Sequence, residues 1–173
     1  RGQSMMERVI FVDKDDVECG DMEKMQAHES GVLHRAFSLF VFNHQGALLL
    51  QRRAHGKYHS GGLWTNTCCS HPRPGESILE AARRRLVEEM GFVCDLTHRF
   101  TFEYRAELGN GLIEHEVDHV FSGYYEGSVV PNSGEVADYQ YVEVDELARQ
   151  IQTYPERFTP WLKTVWNDYR SYF

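Results

Sequence analysis

The stretch Glu76–Met90 constrains the fold of this chain more than any other segment. Ile78, Ala82, Leu86 and Met90 recur every four residues, and Gly91 stands where a left-handed residue would end a helix. Around this helix the sequence reads as strands. Val32 to Phe42 alternates and is rich in aromatic and branched residues, and Ala47 to Arg52 returns from a His44-Gln45-Gly46 turn as a hairpin arm. Val9 to Val12 reads as an edge strand, and Asp21 to Glu29 has weak helical character. Phe92 to Glu107 holds one or two strands, Gly109-Asn110-Gly111 is a hairpin turn, and Leu112 to Tyr125 is a long strand. Two further helices are expected over Asp145 to Gln152 and Thr159 to Tyr169, the second with Thr159 as N-cap and Pro160 at the first helical position. The pattern predicts an α/β (mixed α+β) fold of mixed β-sheets flanked by helices. With 173 residues and neither repeat nor long linker, a single domain over 5–173 is expected, with residues 1–4 read as an expression scar.

The formal charge of −8 argues against a general nucleic-acid or anionic-membrane partner, while leaving room for a local basic pocket. No apolar run approaches the ~20 residues needed to span a bilayer. Four cysteines, two of them adjacent at Cys68 and Cys69, follow no disulfide-framework spacing. A reducing, cytoplasmic setting is the simple expectation.

Chemistry concentrates in Trp64 to His71, W-T-N-T-C-C-S-H. This stretch places a nucleophile or acid (Cys69) and a metal ligand (His71) beside a helix N-terminus, where anions gather and thiol pKa values fall. An extended segment would turn Cys68 the other way, as a packed thiol. Cys19 and Cys94 have no partner motif.

Two further groups have both a plain and a chemical reading. Arg84, Arg85, Glu88 and Glu89 on the first helix can be a solvated face of ion pairs worth ~0.2–0.5 kcal/mol each. They can equally be a carboxylate surface for Mg²⁺ beside a diphosphate. Strand segment Ile113 to Asp118, I-E-H-E-V-D, puts Glu114 and Glu116 on one face and His115 on the other. If inside, the two carboxylates, about 7 Å apart, need a cation or must share protons; if outside, they are solvated. His28, His34 and His71 complete a candidate set that would suit Zn²⁺ or Mn²⁺ as well as Mg²⁺.

From Ser70 the chain runs S-H-P-R-P-G-E-S-I-L-E-A-A-R-R-R-L-V-E-E-M-G-F. This resembles the Nudix box: a Gly, a Glu six positions on, then R-E-x-x-E-E-x-G. Glu76, Arg84, Glu88, Glu89 and Gly91 fit; Ser70 replaces the Gly and Arg85 replaces the first Glu of R-E. With K-M-Q-A-H at Lys24, L-H-R-A-F-S at Leu33, Q-R-R-A-H-G-K at Gln51, Y-R-A at Tyr104, E-H-E-V at Glu114 and F-T-P-W ending at Trp161, the chain resembles the type 1 isopentenyl-diphosphate Δ-isomerases from about Val9 to Trp161.

That resemblance implies a Nudix fold and a soluble small-molecule enzyme acting as a monomer or weak dimer. It would interconvert isopentenyl and dimethylallyl diphosphate by protonation and deprotonation through a tertiary carbocation. By position, His28, His34, His71, Glu114 and Glu116 resemble ligands of a divalent metal (Mn²⁺, Mg²⁺ or Zn²⁺). Glu89, with the Cys69 carbonyl, resembles the holder of Mg²⁺ at the diphosphate. Lys24, Arg53, Lys57 and Arg85 match diphosphate-binding positions, and Ser70 is expected to offer its backbone or hydroxyl to the same anion. Glu116, helped by Tyr104, is the implied proton donor; Cys69 as thiolate takes the opposite proton; Trp161 lays its ring over the cation, unless it is only a core aromatic. The alternatives are a Nudix pyrophosphohydrolase of a nucleoside diphosphate derivative, against which Arg85 argues, and a non-catalytic diphosphate- or metal-binding module.

Overall fold

β3 (His34–Phe42) is the axis of the molecule, because the seven residues of its H-R-A-F-S-L-F-V-F sequence other than Arg35 and Phe42 leave almost no surface to solvent on either face, as a strand between neighbours on both sides requires. A computed structural model describes residues 7–173; residues 1–6, including the expected scar, lie outside the described residues. On one side β3 runs parallel to β8 (Leu112–Tyr124), from His34 opposite Glu116 to Phe42 opposite Tyr124. β8 in turn pairs antiparallel with β7 (Thr97–Gly109). The turn joining them is the expected Gly109-Asn110-Gly111, all three at positive φ.

On its other side β3 does not pair with its hairpin partner as expected. β3 and β4 (Leu48–Arg53) meet only at Phe42–Leu48. Between them lies the W-T-N-T-C-C-S segment: β5 (Trp64–Thr65) pairs with β4, and β6 (Cys68–Ser70) pairs with β3. Two buried side chains fill the gap. Asn66 Nδ2 donates to Leu39 O and Cys68 O. Thr67 Oγ1 donates to Leu49 O and accepts from Val41 N. They replace ladder bonds that the diverging strands cannot make.

β1 (Arg8–Val12) is not an edge strand: it sits between β3 and β2 (Glu18–Glu23). The weak helical signal at Asp21 to Glu29 divides into the end of β2 and a short helix, α1 (Lys24–Ser30). The single-strand option holds after Met90: Phe92 to Leu96 is irregular and β7 follows. β9 (Val136–Val142), on the outer side of β4, was not expected.

Helices cover both sheet faces. α2 (Ile78–Met90) begins with a Ser77–Glu80 capping box and ends at Gly91 in the left-handed region. Its Ala81, Ala82, Leu86 and Met90 pack on Phe37, Leu39, Val41, Leu49 and Cys68. On the opposite face, α3 (Val144–Thr153) and α4 (Pro160–Asp168) bury Leu147, Ile151, Trp161, Leu162, Val165 and Trp166 against Phe40, Leu50, Phe102 and Val120. Thr159 caps α4 by accepting from Leu162 N, with Pro160 next, as expected. The alternation of β6 therefore sends Cys68 under α2 and Cys69 toward α4. No helix among the described residues is long and apolar enough to cross a membrane.

Candidate active site

Period-two geometry on β8 turns Glu114, Glu116 and also Asp118 to one buried face. His115 and His119 face the other way, against Glu103 and Asp16 at 2.8 Å. The inward reading of the E-H-E segment is therefore the one the fold adopts.

Three segments converge on these carboxylates. His28 comes from α1, His34 from the first residue of β3 and His71 from the residue after β6. His28 Nδ1 donates to Lys24 O at 2.8 Å and His34 Nδ1 donates to Val32 O at 2.9 Å, since a carbonyl can only accept. Both rings are thereby held as the tautomer whose Nε2 lone pair faces inward. The Nε2 atoms of His28 and His34 are buried and have no hydrogen-bond partner, nor has Glu114 Oε1. His71 Nε2 lies 3.1 Å and His34 Nε2 3.5 Å from the same oxygen, Glu116 Oε2. Ligand atoms of His28, His34, His71 and Glu116 all lie within 4.8 Å of one another, as do those of His28, His59 and Glu114. Burial holds His34 down at about 4 and His71 well below its usual range, so both rings are neutral. Buried, unpaired imidazole lone pairs facing carboxylates are a donor set that a divalent cation fits.

Burial, with Glu114 and Asp118 beside it, pushes the Glu116 carboxyl well above the usual carboxylate range. Burial also opposes ionisation of Glu114, but His28 and His59 overcome it and hold that carboxyl well below the usual range.

Cys69 stands on the other flank of β3, opposite Ser38 in the β3–β6 register, while Glu116 stands on the β8 flank. Its thiol donates to Asn66 Oδ1 at 3.1 Å and accepts from Trp161 Nε1 at 3.2 Å. Burial, then Asp118, raises the thiol's pKa, which favours the thiol over the thiolate. Ser38 donates to Asp118 Oδ2 at 2.8 Å, and burial lifts Asp118 to about 7 although that bond opposes the shift. The Arg53 guanidinium lies 5.2 Å from the centre of the Trp161 ring, so a cation already occupies part of that aromatic surface.

Cys69, Glu114, Glu116, Trp161 and His71 line one inner cavity of about 30 Å³, room for about two water molecules. Tyr104 does not line it. It pairs with Glu116 across β7 and β8, and its buried hydroxyl has no partner. The inner cavity shares Arg53, Tyr58, Cys69, Ser70 and His71 with a larger cleft of about 580 Å³ that also presents Lys24, Lys57 and Arg85. The four expected diphosphate-binding cations thus meet in one place. Lys57 pairs with Glu135 at 2.5 Å, and Arg85 pairs with Glu88, Glu89 and Glu135. Burial, then Lys57, lowers the Lys24 pKa.

Glu89 does not face this cleft: it is 4% exposed, ion-paired with Arg85, and accepts from Gln51 Nε2 at 2.9 Å. Its neighbour Glu88 lines the cleft instead. Sequence reasoning missed Tyr58, His59, Asn66, Ser38 and Asp118. Asp118 carried a signal, as the next residue in the period-two series of Glu114 and Glu116; the others carried none outside their loop and strand.

The Nudix domain family matches residues 32–162. The chain is 54% identical over 158 residues to isopentenyl-diphosphate Delta-isomerase 2 of Aromatoleum aromaticum, covering 91% of this chain and 84% of that protein. It is 52% identical to isopentenyl-diphosphate Delta-isomerase of Pectobacterium atrosepticum, covering 90% of this chain and 87% of that one. In fold it is similar to DR0079 from Deinococcus radiodurans, with a TM-score of 0.78 and 18% identity over 95% of this chain and 100% of that chain.

Proposed function

The chain belongs to the isopentenyl-diphosphate Delta-isomerases, a family of the Nudix fold, and on that premise we propose how its site converts isopentenyl diphosphate to dimethylallyl diphosphate. The observation that carries the reading is that Cys69 and Glu116, on the two strands flanking β3, line one small cavity together with Trp161.

The diphosphate binds in the outer cleft to Lys24, Arg53, Lys57 and Arg85, with Ser70 at the junction. Its charge competes with Glu135 for Lys57 and Arg85. The hydrocarbon end enters the inner cavity. Glu116 gives its proton to the terminal alkene carbon; the π electrons form the new C–H bond and leave the charge on the tertiary carbon. Loss of a proton from the carbon on the diphosphate side, to deprotonated Cys69, restores the double bond. Because burial favours the Cys69 thiol, its proton must leave first; it passes to the adjoining Asp118 carboxylate, which Ser38 holds by a hydrogen bond. Trp161 faces the developing cation, a contact worth about 2 kcal/mol when dry. Tyr104 supports Glu116 from β7. The hydrocarbon end must displace water from this cavity, since water would trap the cation.

When bound, a divalent cation (Mn²⁺, Mg²⁺ or Zn²⁺) at His28, His34, His71, Glu114 and Glu116 supplies Lewis acidity beside Glu116, and Mg²⁺ at Glu89 and the Cys69 carbonyl neutralises diphosphate charge. The second site requires Glu89 to exchange its ion pair with Arg85 for the cation. A cytoplasmic setting is supported by four cysteines that are all free thiols, and the reading takes the enzyme as a monomer or weak dimer without nucleic-acid or membrane partners. The hydrolase alternative is not better supported, because Arg85 stands where the Nudix pattern has a carboxylate.

The test is conversion of isopentenyl diphosphate with Mg²⁺ in deuterated water. Deuterium in the dimethylallyl product is expected; phosphate release without isomerised product would overturn the reading.

A further inference from the structure

We propose that His59 is a sixth ligand residue for the cation of the His/Glu cluster, and that it ties the loop 54–62 to that cation. This rests on the cluster being a cation site, as read above. His59 belongs to the loop between β4 and β5, outside the segments that supply the other five candidates. Its side chain is nevertheless 3% exposed, and its Nε2 lies 3.5 Å from Glu114 Oε2, which His28 Nε2 approaches at 3.8 Å. The His28 and His59 rings are 5.8 Å apart and tilted by only 30°.

The arrangement repeats what holds the other imidazoles. His28 and His34 are each fixed at Nδ1 by a backbone oxygen and present Nε2 inward. His59 Nδ1 lies 3.0 Å from Ser60 Oγ, and its Nε2 also points inward. An oxygen partner on the outer nitrogen is the usual support of a metal-ligating histidine. The ligand atoms of His28, His59 and Glu114 lie within 4.8 Å of one another. Opposite ligands around one ion stand about 4.2 Å apart at metal–nitrogen distances near 2.1 Å, and His28, common to both groups, places His59 and Glu114 next to the group of His34, His71 and Glu116.

The turn is shaped to aim this ring. Ser60 takes a left-handed φ of 55°, unusual for a residue with a side chain. At Gly61 a Cβ would lie 2.6 Å from His55 O, so the backbone passes too closely for any larger residue. The His59 carbonyl accepts from Arg53 Nη2 at 3.0 Å, and its ring meets the Trp161 ring edge-on at 5.6 Å. Lys57 and Tyr58, just before it, line the basic cleft. A ligand on this loop therefore links cation binding to the placement of diphosphate-binding groups. Four imidazoles and two carboxylates also make a nitrogen-rich donor set, which favours Zn²⁺, Co²⁺ or Ni²⁺ over Mg²⁺.

The test uses the full chain stripped with a chelator and titrated with Co²⁺ in the absence of substrate. Each ligating imidazole keeps one N–H, visible as a paramagnetically shifted exchangeable proton resonance. Wild type is expected to show four, and His59→Phe, which keeps a ring against Trp161, three, with Co²⁺ bound at least tenfold more weakly. Hydrogen exchange of amides in 54–62 is expected to slow on Co²⁺ binding in wild type and not in His59→Phe. His59→Gln, which keeps the polarity of the site, gives the same reading if the Phe variant does not fold. Three resonances in wild type, or unchanged affinity and loop exchange in the His59 variants, overturns the proposal. His34→Ala separates the two readings: if it too leaves Co²⁺ binding intact, the cluster itself is not the cation site.

Discussion

Asn66→Ala is expected to damage stability and catalysis together, by separable amounts. Asn66 is fully buried, and its amide is oriented by the two carbonyls it serves, Leu39 O at 3.0 Å and Cys68 O at 3.2 Å. That orientation turns Oδ1 toward Thr65 Oγ1 at 2.9 Å and Cys69 Sγ at 3.1 Å. Thr65 Oγ1 in turn accepts from Thr159 Oγ1 at 2.8 Å, the N-cap hydroxyl of the helix carrying Trp161. Truncation removes a donor from each of two buried carbonyls, costing about 1–3 kcal/mol each if nothing replaces it. Water admitted to the vacated space recovers part of that, so the net loss is about 2–4 kcal/mol. For a chain of this size it lowers Tm by roughly 4–16 °C. The thiol also loses the acceptor that fixes its position, and a misplacement of about 1 Å costs on the order of 100-fold in rate. Urea denaturation gives the first quantity, with m unchanged; steady-state turnover well below Tm gives the second. Thr67→Val is the control, because it strands Val41 N and Leu49 O but touches nothing at Cys69. It is expected to lose stability and keep kcat. A stability loss below about 0.5 kcal/mol with normal turnover in Asn66→Ala would refute the view that this side chain separates β3 from β4 and positions Cys69.

Cys69→Ala and Glu116→Gln are each expected to abolish turnover while circular dichroism stays native; full activity in Cys69→Ala would remove it from proton transfer. Asp118→Asn should lower kcat at least tenfold with little change in KM, because Asp118 lies with Ser38 beside Cys69 and outside the diphosphate cleft; a pure KM effect would contradict that placement. Chelator treatment should lower Tm, and adding back Zn²⁺ at 100 times its Kd should restore about 2.7 kcal/mol, or roughly 5–10 °C by scanning calorimetry. Glu76→Gln should cost about 1 kcal/mol, since Glu76 holds Arg84 through both carboxylate oxygens at 2.7 and 2.9 Å. Arg84 holds Glu76 below its ordinary 4.5, so the difference from wild type should be full above that value and shrink as pH falls through the folded-state pKa; a difference unchanged in acid would rule out the charge as its source.

What the sequence made legible follows from where the signal resides. α2 was readable because its apolar period, capping residues and closing glycine agree. The strong strands β3 and β8 were readable because burial on at least one face demands apolar spacing. β2 and β9 were not, since E-C-G-D-M-E and V-A-D-Y-Q-Y-V are largely solvated and carry little period-two signal. The hairpin expectation for β3 and β4 had a sound turn but no means of anticipating a third segment between the strands. That insertion is made by Asn66 and Thr67, whose partners lie up to 27 residues away. The convergence of His28, His34, His71, Glu114 and Glu116 was reachable only through family resemblance, because it is made by topology: α1, β3, β6 and β8 meet at one end of the sheet. His59 lay beyond that resemblance, as its loop acquires direction only from Ser60, Gly61 and their neighbours.

The replacement at Arg85 connects the helix to the sheet. A helix bearing carboxylates at 85, 88 and 89 would concentrate negative charge along one edge and draw a cation to itself. With Arg85 in place, the guanidinium pairs with Glu88, Glu89 and Glu135. Glu89 sinks beneath it to accept from Gln51 of β4. The helix edge becomes nearly balanced in charge and presents Arg84 and Arg85 to the cleft beside Glu88. The negative donors facing the inner cavity are then supplied by β8, at Glu114 and Glu116, among imidazoles whose inward lone pairs are already set by their own backbone contacts. The basic cleft and the carboxylate-lined inner cavity are thus separate places. The two are joined through Arg53, which lies against Trp161 and bonds the His59 carbonyl. Hydrolysis needs its metal and water at the diphosphate, whereas isomerisation needs a dry acid and base several bonds away. Moving the unneutralised carboxylates from the helix into the sheet's interior is the physical form of that difference.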